Sequence, residues 1–237
     1  MGATLSHMPN PGPPAAHAGP TELASVAGHA LNNVLAYLFA ASSHLDEGEI
    51  DAARARAAVD DACRGARALS SALSVLAMSP ENLAGVPAFG QVVDGAGLAR
   101  ALGTVREIAG MRDDAASVSL SPHSSTLDAD TLEALMICAA VTLRRSGGAA
   151  ATLQGEIDVR PGPDDRGPRL SIRFAARLAS GVPAPRRTGH GPCELALSRA
   201  AVLLPLLGAA IEQDADGSIA LVVDLRPVAA AGEKDGR

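Results

Sequence analysis

His29 and Asn33 are the residues whose types and spacing best suit chemistry on a partner. An imidazole nitrogen is a nucleophile, and an amide one helical turn away, about 40° around the axis, can orient a water or an anionic oxygen. Both residues lie opposite the apolar stripe of a helix predicted over residues 21–45. That stripe consists of Leu31, Val34, Leu35, Leu38 and Leu45.

Small and polar residues surround the histidine on this side of the helix. Ala36 and Ala40 share its face and Asn32 lies on its flank, so another protein's surface can approach closely. We predict that His29 is reactive, that Asn33 orients its reaction partner, and that the three neighbours form a docking surface. The plainer alternative is a solvated surface histidine.

Two other histidines have plainer interpretations. His44 lies in the last turn of the same predicted helix, where a histidine commonly pairs with the helix dipole. His190 with Cys193 is a single pair without a second pair of cysteines, so no metal site is predicted.

A second long helix follows after the polar turn at residues 46–49. Helices joined so tightly lie antiparallel. A hairpin with one apolar stripe per helix cannot cover itself, so the pattern predicts a homodimer with a four-helix bundle; the alternative is packing against the rest of the chain. The stripe predicted for the second helix is Val59, Ala62, Cys63, Ala66, Leu69, Leu73 and Leu76.

Composition sets limits on the class of protein. The chain has 237 residues, of which 47% are apolar and 19% charged, enough for a sizeable core. A net charge of -6 without basic clusters disfavours nucleic acid, and no apolar run approaches the length of a membrane span. With no signal-peptide pattern and three widely separated cysteines, we expect a cytoplasmic protein with reduced thiols.

Proline-rich, glycine-rich and polar segments divide the chain into five parts. A flexible proline-rich leader (1–20) is followed by the helical hairpin (21–79), a connector rich in proline and glycine (80–97), a second domain (98–226) and a polar tail (227–237). In the second domain we predict helices over 98–111, 128–145 and 193–207, and strands over 116–120, 151–159, 169–175 and 218–225. Helices segregated against a mostly antiparallel sheet define an α+β fold class.

This order of elements, with the sequence Gly28-His29-Ala30-Leu31-Asn32-Asn33, resembles the catalytic half of bacterial sensor histidine kinases. In that family the histidine of an H-box such as His-Asp/Glu-x-x-Asn/Thr accepts phosphate. The resemblance implies that His29 is the phosphoacceptor on the bundle of a dimer. It also implies that residues 98–226 form an ATPase-like α/β sandwich.

The chain departs from the kinase pattern where the chemistry of ATP is done. Ala30 stands in place of the acidic residue that takes the histidine proton. Leu135 and Ala139 occupy the positions of magnesium-binding asparagines and offer no oxygen ligand. Residues 177–181 replace the Asp-x-Gly-x-Gly motif, and residues 189–194 keep only part of the glycine-rich lid.

The chain combines three degraded ATP motifs with a matching order of elements, and in this it resembles the histidine phosphotransferases of the ChpT type. That resemblance implies a phosphorelay protein that moves phosphate between receiver-domain aspartates without binding ATP. Its partners would be response-regulator receiver domains, including that of a hybrid histidine kinase, and its only magnesium would be the receiver's own. The alternatives are a noncatalytic dimeric adaptor for response regulators and an atypical histidine kinase.

Overall fold

A helical hairpin forms the first part of the molecule. The computed structural model describes residues 20–46, 52–84, 89–111, 119–148, 150–162, 167–184 and 191–228. Helices α1 (Pro20–Asp46) and α2 (Ala52–Leu76) pack against each other, and the short connection makes them antiparallel. The predicted hairpin is confirmed. The predicted leader lies outside the described residues except for Pro20, which begins α1.

Alanine, glycine and one valine form the contact between α1 and α2. Ala41, Ala55 and Ala62 are buried, and a Cβ on Gly65 would lie 3.2 Å from Cγ2 of Val34. Small side chains let two helix backbones approach closely, so they take the contact in preference to leucine. The following members of the two predicted apolar stripes lie outside this contact and are exposed in the single chain: Leu31, Leu35, Leu38, Val59, Cys63, Ala66 and Leu73.

The rest of the described chain alternates helices and strands. The helices are α3 (Pro80–Ala84), α4 (Gly95–Ala109), α5 (Ala129–Gly147) and α6 (Pro192–Leu203), and a 3₁₀ turn (Leu204–Leu207) continues α6. The strands are β1 (Gln91–Val93), β2 (His123–Ser125), β3 (Thr152–Pro161), β4 (Pro168–Arg177), β5 (Ala209–Gln213), β6 (Ile219–Asp224) and β7 (Arg226–Pro227).

These strands form two antiparallel sheets, in the orders β1-β2-β7 and β3-β4-β6-β5. The predicted hairpin of β3 and β4 is present, with Ile157 opposite Ile172. Helix α5 packs on β3, β4 and β6, so helices cover the larger sheet. The predicted α+β class is confirmed.

One hydrophobic core joins the hairpin to the sheet. Ala68, Ala72 and Val75 of α2 belong to the same buried cluster as Leu135 of α5 and Phe174 of β4. Arg67 of α2 also forms an ion pair with Glu107 of α4, with 2.7 Å between the charged atoms. The second half of α2 is thus packed against the sheet domain as well as against α1.

Several predicted boundaries differ from the structure. The segment predicted as a connector, residues 80–97, contains α3, β1 and the start of α4. The strand predicted over 116–120 falls largely outside the described residues, and its last two residues are not in a strand. The helix predicted to reach residue 207 ends at 203, because Pro205 has no N–H to continue the ladder. Strand β5 was not predicted.

A polar turn closes the hairpin of β5 and β6. The Asp216 carboxylate accepts a hydrogen bond of 3.0 Å from the backbone N–H of Ser218, and Arg177 lies 3.5 Å away. These interactions, the backbone bond first, lower the pKa of Asp216. Asp214 beside it accepts from the Ser218 hydroxyl and pairs with Arg173 at 2.6 Å. These contacts favour the ionised form of the Asp216 carboxylate.

Candidate functional site

His29 lies on an exposed side of α1, away from α2. Side chains of α1 that approach α2 are those of Val34 and Ala41, which fall about 120° to 140° around the helix from His29. A Cβ on Gly28 would meet nothing within 4 Å, so there is open space beside the histidine. The imidazole is accessible to a docking protein.

The other predicted site residues are exposed on the same side. Asn33 lies about 40° from His29, Ala40 about 20°, and Asn32 and Ala36 on the opposite flank. We call these five residues the His29 face. The predicted positions thus share one accessible surface, and apart from His29 and Asn33 it offers short side chains. His44 is also in α1, and its side chain is outside the described residues.

A second exposed surface of α1 is apolar. Leu31, Leu35 and Leu38 fall about 180° to 240° from His29, and we call them the leucine face. On α2, Val59 and Leu73 are exposed as well. The sequence pattern identified all five as apolar positions, and small residues rather than these five occupy the contact between α1 and α2.

The handedness of the helices decides which side of the hairpin each surface occupies. Viewed from the N-terminal end of α1, its side chains advance clockwise, whereas those of the antiparallel α2 advance anticlockwise. The leucine face and the exposed Val59 and Leu73 of α2 then fall on one side of the hairpin. The buried Ala68 and Ala72, which meet the sheet domain, fall on the other side, toward which the His29 face is turned.

Hydrogen bonds from two side chains of α6 hold it against α2 and the segment just after α2, on the side of the His29 face. The Cys193 thiol, at the start of α6, contacts the Ala68 carbonyl at 3.6 Å. Arg199 donates through Nε (3.2 Å) and Nη2 (2.8 Å) to the Met78 carbonyl. These contacts make α6 parallel to α2, and α6 also touches α1. Sequence reasoning missed both, because the partners are more than a hundred residues apart and carry no local pattern.

Cys138 and Cys193 form a buried thiol pair between α5 and α6. Their mutual hydrogen bond, with burial, raises the pKa of Cys138. The third cysteine, Cys63, is exposed, and all three are free thiols, as the sequence predicts. In the part of the chain that the structure describes, no group of histidine, cysteine and carboxylate side chains is arranged to hold a metal ion.

The positions that the sequence analysis compared with a kinase nucleotide site are packed or ion-paired within the protein. Leu135 and Ala139 are fully buried in the core. Arg177 contacts Asp216 and donates to the Gly181 carbonyl at 3.4 Å. A Cβ on Gly147 at the end of α5 would lie 2.7, 3.1 and 3.2 Å from the methyl carbons of three alanines, so packing there is tight. Those alanines are Ala151, Ala176 and Ala184.

The described residues therefore form an α+β protein in which a helical hairpin with an exposed histidine is packed against a domain of antiparallel sheet and helices. Among solved structures, the chain is similar to a bacterial phosphotransferase, with 14% identity over 86% of this chain and 97% of that one and a TM-score of 0.44. It is also similar to a histidine kinase from Burkholderia phymatum STM815, with 12% identity over 88% of this chain and 100% of that one and a TM-score of 0.39. No family model and no curated protein matches the chain.

Both TM-scores are below 0.5. Within the described ranges, no helix combines the length and apolar character needed to span a bilayer.

Proposed function

We propose that this protein is a histidine phosphotransferase of a two-component phosphorelay, of the ChpT type, which moves a phosphoryl group between receiver-domain aspartates through His29. The observation that carries the proposal is the position of His29, exposed on a rigid helix and turned away from both α2 and the leucine face. A histidine placed in this way is accessible to groups that another protein brings to it.

The transfer step follows from the chemistry of imidazole. The unprotonated ring nitrogen of His29 attacks the phosphorus of an aspartyl phosphate on a docked receiver, so that a P–N bond forms. The P–O bond to the aspartate breaks, and the carboxylate leaves with the electron pair. The ring's other nitrogen carries the proton, and the cation formed releases one proton to water. A second receiver reverses these steps and takes the phosphoryl group.

The remaining residues of the His29 face would position the receiver. The amide of Asn33, one turn from the histidine, would donate to a phosphoryl oxygen. Asn32, Ala36 and Ala40 would form the docking surface, because short side chains keep the helix open to close contact. The receiver's own magnesium would neutralise the charge that develops on the phosphoryl oxygens.

Several features favour transfer over autophosphorylation from ATP. Ala30 offers no carboxylate to accept the histidine proton. Leu135 and Ala139 offer no oxygen to a magnesium ion and are part of the packed core. The phosphate would therefore arrive on a receiver, including that of a hybrid histidine kinase, with no cofactor bound by this chain.

The functional unit we propose is a cytoplasmic homodimer. The leucine face, together with Val59 and Leu73, leaves apolar side chains in solvent along both helices of the hairpin. A second hairpin would cover them and complete a four-helix bundle. The His29 face lies on the other side of the hairpin, so a receiver and a second copy would not compete.

The decisive experiment is phosphoryl labelling of the purified full chain. It is incubated with radiolabelled ATP alone, and separately with receiver domains from the same organism that have been phosphorylated with radiolabelled acetyl phosphate and magnesium. We expect acid-labile label only from a receiver, mapped to His29, absent in His29→Ala and retained in the matched His44→Ala. Label that persists in His29→Ala would overturn the assignment, and label from ATP alone would indicate an atypical kinase.

A second candidate is a noncatalytic adaptor that binds response regulators without moving phosphate. Ala30 favours it, because the missing acidic neighbour removes one group that acts on the histidine proton. The two candidates differ in the same experiment. Receivers that bind the dimer while no histidine is labelled would establish the adaptor and exclude the transferase.

A further inference from the structure

Two thiols that the proposed transfer does not use lie together in the core. Cys138 is in the middle of α5 and completely buried, and Cys193, in the first turn of α6, is 2% exposed. Helices α5 and α6 pack against each other, and the two thiols are hydrogen-bonded to one another. A disulfide requires Cβ atoms about 3.5 to 4.5 Å apart, so a pair of thiols already in contact needs only a small side-chain rotation to form one.

The hydrogen bonds of the pair run in one direction. The Cys138 thiol donates to the Cys193 sulfur, and the Cys193 thiol donates in turn to the Ala68 carbonyl of α2, 3.6 Å away. The bond from Cys138 lowers the pKa of Cys193 against the effect of burial, and the nearby Arg145 lowers it further. A thiolate, rather than a thiol, is the nucleophile in cysteine oxidation, so Cys193 is the more reactive member of the pair.

The side of α5 that carries Cys138 is polar where it approaches the start of α6. Thr142 and Arg145 lie about 40° and about 20° around the helix from Cys138. The guanidinium of Arg145 reaches the N-cap of α6, where a Cβ on Gly191 would lie 2.6 Å from its Nη1 atom. Within the described residues, the Thr142 hydroxyl is the only buried side-chain polar group without a hydrogen-bond partner. It leaves a donor and an acceptor free, one helical turn from Cys138, for a small hydroxylic molecule.

We propose that Cys138 and Cys193 form a peroxide-sensitive thiol pair, which hydrogen peroxide converts to an intramolecular disulfide and a dithiol reductant restores. This inference goes beyond phosphoryl transfer and does not depend on it. Burial of both sulfur atoms selects the oxidant, because a small uncharged molecule can enter a packed core that excludes glutathione disulfide. In a reducing compartment such a bond forms only transiently, as in redox-sensing proteins.

The oxidation takes two steps and releases two molecules of water. The Cys193 thiolate attacks one oxygen of hydrogen peroxide, the O–O bond breaks, and the hydroxide that leaves takes up the proton lost by the thiol, so that a sulfenic acid and water are formed. The Cys138 sulfur then attacks the sulfenic sulfur, an S–S bond forms, and the S–O bond breaks. The oxygen leaves as the second water with the proton of Cys138, and two electrons have passed from the thiol pair to the peroxide.

Oxidation changes which helix holds the start of α6. In the disulfide Cys193 has no hydrogen to donate, so its bond to the Ala68 carbonyl is lost. The S–S bond, about 2.05 Å long, draws its sulfur toward α5. The start of α6 is then joined covalently to α5 and loses this bond to α2, the helix that packs against α1. The pair thereby couples the presence of peroxide to the contact between the sheet domain and the helical hairpin.

The test is oxidation of the folded full chain carrying Cys63→Ser. This substitution removes the exposed third thiol, which would otherwise react with the oxidant or with a second molecule. The protein is treated with hydrogen peroxide in up to about tenfold excess, or with glutathione disulfide, and its peptides are analysed by non-reducing mass spectrometry. We expect only hydrogen peroxide to give a Cys138–Cys193 cross-link, about 2 Da lighter than the two thiols and reversed by dithiothreitol. Closing the loop between residues 138 and 193 should also raise the thermal midpoint of unfolding by about 5 to 10 °C.

Two further variants in the Cys63→Ser background assign the roles of the two thiols. With Cys138→Ala added, peroxide should leave a sulfenic acid on Cys193 that dimedone traps. With Cys193→Ala added instead, Cys138 should stay unmodified, since its completely buried thiol is not ionised. Helical circular dichroism checks that both variants are folded.

Absence of the cross-link in the folded protein would overturn the proposal, even if the denatured chain forms one. Dimedone on Cys138 rather than on Cys193 would overturn the assigned roles, and a cross-link made equally well by glutathione disulfide would overturn the selection of a small oxidant. None of these measurements involves His29, so failure of the thiol pair and failure of the phosphotransferase are distinguished.

Discussion

Truncating the leucine face should weaken self-association without unfolding the protomer. Leu31, Leu35 and Leu38 are 51%, 41% and 43% exposed in the single chain. Complete burial of a leucine side chain stabilises by about 1.5 to 3 kcal/mol, so covering the exposed half of each contributes about 1 kcal/mol. In a symmetric dimer each substitution acts twice. One Leu35→Ala change should therefore cost about 2 kcal/mol of association free energy, a rise of about thirtyfold in Kd.

The triple variant Leu31→Ala, Leu35→Ala, Leu38→Ala gives the larger effect. By the same reasoning it loses about 6 kcal/mol, which is more than 10⁴-fold in Kd. Its helical circular dichroism at low concentration should match wild type and its thermal unfolding should stay cooperative, because about half of each side chain removed already lies in solvent. Alanine also keeps the helix propensity of α1.

We measure the Kd of the dimer by sedimentation equilibrium over protein concentrations of about 0.1 to about 100 µM. A Kd in this range is expected because the entropy cost of association offsets part of the free energy of apolar burial. The matched control is Leu206→Ala, an exposed leucine on the 3₁₀ turn outside the hairpin, which should leave Kd unchanged. Wild type that sediments as a monomer throughout, or a triple variant that associates as tightly as wild type, would refute the dimer argument.

Four further substitutions test packing and charge by chemical denaturation. Gly147→Ala should destabilise by about 1 to 3 kcal/mol because its methyl overlaps three alanines, whereas Gly103→Ala, with open space in α4, should stabilise by up to about 1 kcal/mol. Arg199→Met removes both donors to the Met78 carbonyl and should cost about 2 kcal/mol. The pKa of Asp216 is lowered in the folded protein, so its carboxylate stabilises the fold above pH about 4, and this stabilisation is lost as the pH falls. The free energy of unfolding of Asp216→Asn should therefore differ from that of wild type at pH 7 and converge with it in acid.

The sequence predicted those elements whose pattern is long and locally determined. Alternation on both sides of the turn at 161–165 predicted the β3–β4 hairpin, and the spacing of apolar residues predicted α1, α2 and α5. Strands β2 and β5, of three and five residues, are too short to give such a signal.

The sequence did not determine which face of α1 meets α2. In a helix rich in alanine and leucine, more than one side is apolar, and the pattern alone favours the larger residues for the contact. The structure instead places Ala41, Ala62 and Gly65 in the contact and leaves Leu31 and Leu35 exposed. How closely the two backbones can approach decides which residues form the contact. That distance depends on the side chains of both helices together. The direction of His29, opposite the leucines, does not depend on it and followed from the sequence.

The fixed position of the sheet domain bears on how phosphate would reach His29 in the proposed transfer. In an enzyme that phosphorylates its own histidine from ATP, the nucleotide domain has to deliver the phosphate to that residue. Here Ala72 and Val75 of α2 are buried in the core of the sheet domain, so a swing of that domain would expose them and break the bonds made by Arg199. Such a geometry favours delivery from another protein. Phosphate donors should then compete with one another, because the single His29 face of a protomer admits one receiver at a time.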